Sequence, residues 1–89
     1  MARILLADDD PTALDLVSRA LTAEGHNVVC CCDGQEALQR LLAAPGEFAL
    51  LLSDVEMPGL DGIELAKRAR SAAPGLRILL MSGFSGGTG

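Results

Sequence analysis

Three consecutive aspartates, Asp8, Asp9 and Asp10, follow an apolar run from Arg3 to Ala7, and a lone aspartate, Asp54, follows the run "LLLS". Glu56 stands two residues after Asp54 and leads into Met57-Pro58-Gly59. Carboxylates gathered at the ends of buried segments are costly unless something positive joins them. Two unit charges ~5 Å apart repel by about 3 kcal/mol at an effective dielectric of ~20. A hard divalent cation removes that repulsion, and a small, fixed set of oxygen ligands with room for waters suits Mg2+. Carboxylates with Mg2+ in turn suit phosphoryl transfer, in which one carboxylate attacks in line while charge on the transferring group is neutralised. Asp54 is the best nucleophile candidate, because the apolar strand behind it fixes its position. Asp8 and Asp9 are candidate metal ligands together with Asp54. The backbone carbonyl of Glu56 is a further candidate, with its side chain left to solvent. Ser82, at the end of a later apolar run, is placed to hydrogen-bond the phosphoryl group.

These residues reach one place only if the chain supplies parallel strands with their carboxyl ends together. Arg3 to Ala7 reads as a strand buried on both faces. Asp10-Pro11 is a helix start, an N-cap followed by proline at the first helical position. Leu14, Val17, Ala20 and Leu21 form its apolar stripe, broadened by Leu16, and Gly25 ends it. Asn27 to Cys31 is the second strand. Asp33 with Glu36 and Asp61 with Glu64 are capping-box patterns that open two more helices. The first of these carries Ala37, Leu38, Leu41 and Leu42 and stops at Pro45-Gly46. The second carries Ile63, Leu65, Ala66 and Ala69 and stops at Pro74-Gly75. Phe48 to Ser53 is the third strand and Arg77 to Met81 the fourth, followed by a Gly-rich tail. Alternating apolar strands and amphipathic helices predict a single α/β domain with a parallel sheet and right-handed crossovers. Ligands bind such a sheet beyond the carboxyl ends of its strands, where strand order reverses.

Composition narrows the function classes. The 89 residues are 49% hydrophobic with only two aromatics, Phe48 and Phe84, so Leu, Ala, Val and Ile must fill the core. A chain of this size buries roughly 60–65% of its unfolded surface. The net charge of −5 and the lack of a basic stripe disfavour direct nucleic-acid binding. No run reaches the ~18 apolar residues of a membrane span, and the N-terminus does not read as a signal peptide. Cys30, Cys31 and Cys32 are contiguous, a spacing that suits neither zinc nor a disulfide framework. They read as small buried or half-buried residues in a reducing compartment. His26 reads as a surface residue at the far end of the sheet, Asp10 as a helix cap rather than a ligand.

The segments "ILLADDDP", "GHNVVCCCDGQEAL", "LLLSDVEMPGLDGIEL" and "RILLMSGF" together resemble the receiver domain of two-component response regulators, in order and spacing. The resemblance implies a flavodoxin-like, CheY-like doubly wound sheet of order 2-1-3-4-5; the chemotaxis protein is one of the standard examples of that order. It implies that Asp54 is the phosphoacceptor and that Asp8, Asp9, Asp54 and the Glu56 carbonyl hold Mg2+. It also implies that Ser82 reports phosphorylation. The phosphodonor would be a histidine kinase or a histidine phosphotransfer protein. The protein would be cytoplasmic, and its catalysis would be limited to its own phosphorylation and dephosphorylation. Within the family, "MARILLADDD" with "LLLSDVEMPGLDGIELAKRA" and "SGF" resembles the CpdR type, stand-alone receivers that act as adaptors for a cytoplasmic AAA+ protease.

The chain departs from the family in its length. Set against the family pattern, residues 1–89 would form one receiver domain incomplete at the C-terminus, a fragment or a chain whose cover another chain supplies. The last strand with its phosphate-binding lysine and the last two helices would fall outside it, and neither Lys67 nor another residue here would take that lysine's place. Phosphoryl transfer is therefore expected to be impaired. The face of strands one and three is expected to be bare, and the open edge of strand four invites pairing with a second copy. Two further readings follow: an interaction module that has lost switching, and a phosphohydrolase using Glu56 as acid/base.

Overall fold

The computed structural model describes residues 2–81, so Ser82 lies outside the described residues. Its elements alternate strictly: β1 (Arg3–Ala7), α1 (Pro11–Ala23), β2 (Asn27–Cys31), α2 (Gly34–Ala43), β3 (Leu50–Asp54), α3 (Gly62–Ala72) and β4 (Arg77–Met81). The helices start where the caps say they should. Asp10 accepts from the Thr12 N–H at 3.0 Å, Asp33 from the Glu36 N–H at 2.8 Å and Asp61 from the Glu64 N–H at 2.9 Å. The reciprocal half of the capping box does not form. Glu36 accepts from the Cys32 N–H at 3.1 Å, one residue ahead of the cap, and Glu64 turns to Arg68 at 3.2 Å. Gly25 ends α1 with φ +91°, a conformation that a side chain would strain.

All strand pairs are parallel, in the order β2-β1-β3-β4. This is the doubly wound, flavodoxin-like arrangement, with β1 and β3 adjacent across the switch point. The register aligns Leu5 with Val29 and Leu51, and Leu51 with Ile78. Successive side chains alternate between faces. Leu5, Ala7, Cys31 and Leu51 therefore line one face, where they pack with Leu38 and Leu41 of α2 and Leu65 and Ala69 of α3. Full burial of each leucine is worth ~1.5–3 kcal/mol.

The third strand begins at Leu50 rather than Phe48 and includes Asp54, which pairs with Met81. Phe48 is buried in the core ahead of the strand, with the Arg3 guanidinium 5.3 Å from its ring centre. Three apolar stripes are narrower than expected. Leu16, Leu42 and Ile63 are exposed, and α1 has no fully buried residue. The bareness expected on strands one and three falls elsewhere. Ile4 and Leu6 of β1 are buried and Leu50 and Leu52 are half-buried, whereas Leu79 of the edge strand β4 is 57% exposed.

The cysteines divide. Cys31 is buried, and burial pushes its thiol up to about 12, whereas Cys30 and Cys32 are exposed rather than half-buried. His26 is half-buried rather than on the surface. Its Nδ1 accepts from the Ala2 N–H at 3.1 Å, which ties the start of β1 to that of β2.

Candidate functional site

β1 and β3 are neighbours and run in parallel, so their carboxyl ends deliver Asp8 and Asp54 side by side. One carboxylate oxygen each from Asp8, Asp9 and Asp54 lies within 4.8 Å of the others. The core sets this geometry. Ala7 pairs with Ser53 at the last β1–β3 rung, and both are fully buried. Asp8 and Asp54 are themselves buried, at 6% and 8% exposure, while Asp9 is exposed. The two inner carboxylates are thus out of water while the third faces it, which is the shape of a site open on one side.

Each inner carboxylate has a distinct environment. Asp8 Oδ1 accepts from the Asp10 N–H at 2.9 Å. Burial pushes the Asp8 carboxyl above its ordinary value; the Asp10 N–H partly opposes this, and the charges of Asp54, Asp9 and Asp10 push it further up. Asp54 Oδ1 is buried without a hydrogen-bond partner among the described residues. An orphaned buried acceptor costs ~1–3 kcal/mol, more when it is charged. The described ion pairs are Arg3–Glu47, Arg19–Asp15 and Arg68–Glu64, so no described cation pairs with the cluster. An all-oxygen donor set with an unpartnered buried oxygen fits a hard divalent cation.

The loop after β3 forms the other wall. Asp9, Val55, Glu56, Met57, Pro58 and Asp61 line a cleft of about 610 Å³ beside the cluster. The Glu56 side chain is exposed, as the sequence led one to expect. Sequence reasoning missed three supports. Met57 and Leu60 are buried in the core and peg the loop at two points, and Ser53 Oγ donates to the Asp54 carbonyl at 2.9 Å. The signal for the pegs was present in "MPGL", where two apolar residues flank a turn that would otherwise be polar. Asp61, identified as a cap, also lines the cleft.

A doubly wound parallel sheet with a carboxylate trio at its switch point defines a class of acidic-site α/β domains. Residues 4–87 match the family described as response regulator receiver domain. The chain belongs to this family of two-component response regulator receiver domains. It is 44% identical over 85 residues to the response regulator receiver protein CpdR of Brucella abortus, covering 96% of this chain and 69% of that protein. It spans 17% to 34% of other curated relatives that it matches. Among solved structures it is similar to the response regulator TrrA of Thermotoga maritima in complex with Mg2+-BeF. The TM-score is 0.87 and the identity 34%, over 96% of this chain and 72% of that one. A complex of histidine kinase ThkA with TrrA matches with a TM-score of 0.84 and 32% identity, over all of this chain and 75% of that one.

Proposed function

We propose that this receiver accepts a phosphoryl group on Asp54 from a phosphohistidine of a histidine kinase or a histidine phosphotransfer protein, and thereby switches a protein–protein interaction. The single observation that carries this is the convergence of the Asp8, Asp9 and Asp54 carboxylates within 4.8 Å. Asp8, Asp9, Asp54 and the Glu56 carbonyl would hold Mg2+. When bound, Mg2+ supplies positive charge beside the equatorial oxygens of the transferring group. Asp54 supplies the nucleophile: a carboxylate oxygen bonds to phosphorus as the P–N bond to the donor imidazole breaks, and the imidazole nitrogen keeps the electron pair and takes up a proton. Asp8 and Asp54, buried and fixed by β1 and β3, need little reorganisation for this role. Ser82 would hydrogen-bond the phosphoryl group.

The domain is proposed to act in the cytoplasm; among the described residues no helix is long and apolar enough to cross a membrane. The resemblance to CpdR-type receivers supports a protease-adaptor partner. Leu79 and Leu80, exposed on β4, support a cover from outside residues 2–81, either further chain or a second copy. A second reading has one observation in its favour: among the described residues no ion pair involves the carboxylates of the cluster. In that reading the fold and the metal persist without phosphorylation, as an interaction module.

The deciding experiment is incubation with acetyl phosphate and Mg2+ followed by intact mass measurement. It is run on this chain and on a form extended through the family's last strand and its lysine. One phosphoryl group on the extended form, lost in Asp54→Asn, is expected. No transfer to either form, with Mg2+ still raising Tm, would replace this reading with the interaction module.

A further inference from the structure

Gly34 opens α2, twenty residues ahead of Asp54 in sequence and on a different helix from the cleft loop. It is buried, and a Cβ placed on it would overlap the carbonyl oxygen of Leu60 and come within 3.1 Å of the Leu60 Cβ. Gly62 opens α3 in the same way. A Cβ there would overlap the carbonyl oxygen of Asp54 and reach 2.9 Å from the Val55 Cα, while the Gly62 N–H donates to the Val55 carbonyl at 2.9 Å. In both cases the neighbour is backbone, which cannot swing aside as a side chain tip can.

We propose that Gly34 and Gly62 are positioning residues for the metal site, clamping the 55–61 loop between the first turns of α2 and α3 so that the Glu56 carbonyl faces the carboxylate trio. This rests on the Mg2+ reading of that site. The loop has few other ways to hold its shape. Met57 and Leu60 anchor it from below, but Glu56, Pro58 and Gly59 are exposed, and Gly59 turns the chain at φ +76°. With Leu60 pressed against Gly34 at one end and Asp54–Val55 pressed against Gly62 at the other, Glu56 lies on a short span fixed at both ends. A methyl group at position 34 must move the Leu60 peptide or tilt α2. The displacement would reach Glu56 through the three residues between it and Leu60. The three atoms nearest a Cβ at position 34 all belong to Leu60, so the loop is the direct route from Gly34 to the metal site.

The test is Mg2+ affinity measured by calorimetry on wild type, Gly34→Ala, Gly62→Ala and Gly46→Ala, the last at a position where a Cβ meets nothing within 4 Å. Gly34→Ala and Gly62→Ala should each weaken Mg2+ by roughly tenfold, the lower end of the effect of groups that orient metal ligands. Gly46→Ala should match wild type. Because the alanine variants could lose their fold, wild-type amide exchange gives an independent reading: Mg2+ should slow exchange at residues 34–36 as well as 55–61. Wild-type affinity in a folded Gly34→Ala overturns the proposal. So does Mg2+ protection confined to residues near the aspartates. No Mg2+ binding by wild type removes the metal reading itself, and the clamp's purpose with it.

Discussion

The two faces of the sheet are built to different standards. Under α2 and α3, Leu5, Leu41, Leu51 and Leu65 are completely buried and join one continuous cluster. On the α1 side the helix has no fully buried residue, and Leu79 at the β4 edge stands 57% exposed. The loop that walls the candidate site is pegged, through Met57 and Leu60, into the dense side. Site precision therefore depends on the α2/α3 face, while the α1 face, closed over Ile4 and Leu6 of β1, is left open at Leu79 on β4.

The sharpest way to break this contrast is to carve each face in turn. Leu41→Ala should cost ~2–5 kcal/mol, the range for truncating a fully buried leucine, read as a large fall in the urea midpoint. Such a loss approaches the whole stability of a small domain. Leu16→Ala, on the exposed side of α1, should stay within ~0.5 kcal/mol. Equal losses would erase the distinction between the faces. Next in size are the caps on the dense side: Asp33→Ala and Asp61→Ala should each cost about 1 kcal/mol. Asp61→Ala is expected to weaken Mg2+ binding as well, because Asp61 lines the cleft.

A smaller effect links the site to pH. An unfolded aspartate titrates near ~3.9, and burial with neighbouring charges raises Asp8 above its ordinary value in the fold. Between the two values the folded state holds the extra proton, so this group's contribution to stability falls as pH rises from about 4 through the folded value. Without Mg2+, Asp8→Asn should therefore gain on wild type in denaturation midpoint as pH increases through that window. Added Mg2+, which binds only the native state, should reverse the order at the upper end. An unchanging gap between the two proteins across the window would argue that the Asp8 carboxyl does not feel its neighbours. The smallest effect is expected from Leu79→Ser, which should leave stability within ~0.5 kcal/mol and reduce any self-association.

Much of this was legible in the residues. Periodicity and caps located all seven elements, because Asp10-Pro11, Asp33-Gly34 and Asp61-Gly62 are local signals that act within one turn. The aspartate trio could be placed together because a parallel sheet with β1 beside β3 leaves no other arrangement of Asp8 and Asp54. What local pattern could not supply was tertiary. Leu16, Leu42 and Ile63 have the spacing of core residues yet face water, since helix rotation is set by the neighbours a stripe finds. Phe48 has strand propensity, but it is buried in the core ahead of Leu50, with Arg3 of β1 over its ring. The need for glycine at position 34 is equally invisible along the chain, since the atom that forbids a side chain there belongs to Leu60.

The central claim is that carboxylates from β1 and β3 meet at one divalent ion, and Mn2+-induced line broadening of backbone amides measures it most directly. The account predicts broadening at low Mn2+ confined to residues around Asp8–Asp10 and Asp54–Met57, displaced by Mg2+ and lost in Asp54→Asn. Broadening spread along the exposed acids of the helices, or untouched by Asp54→Asn, would contradict it.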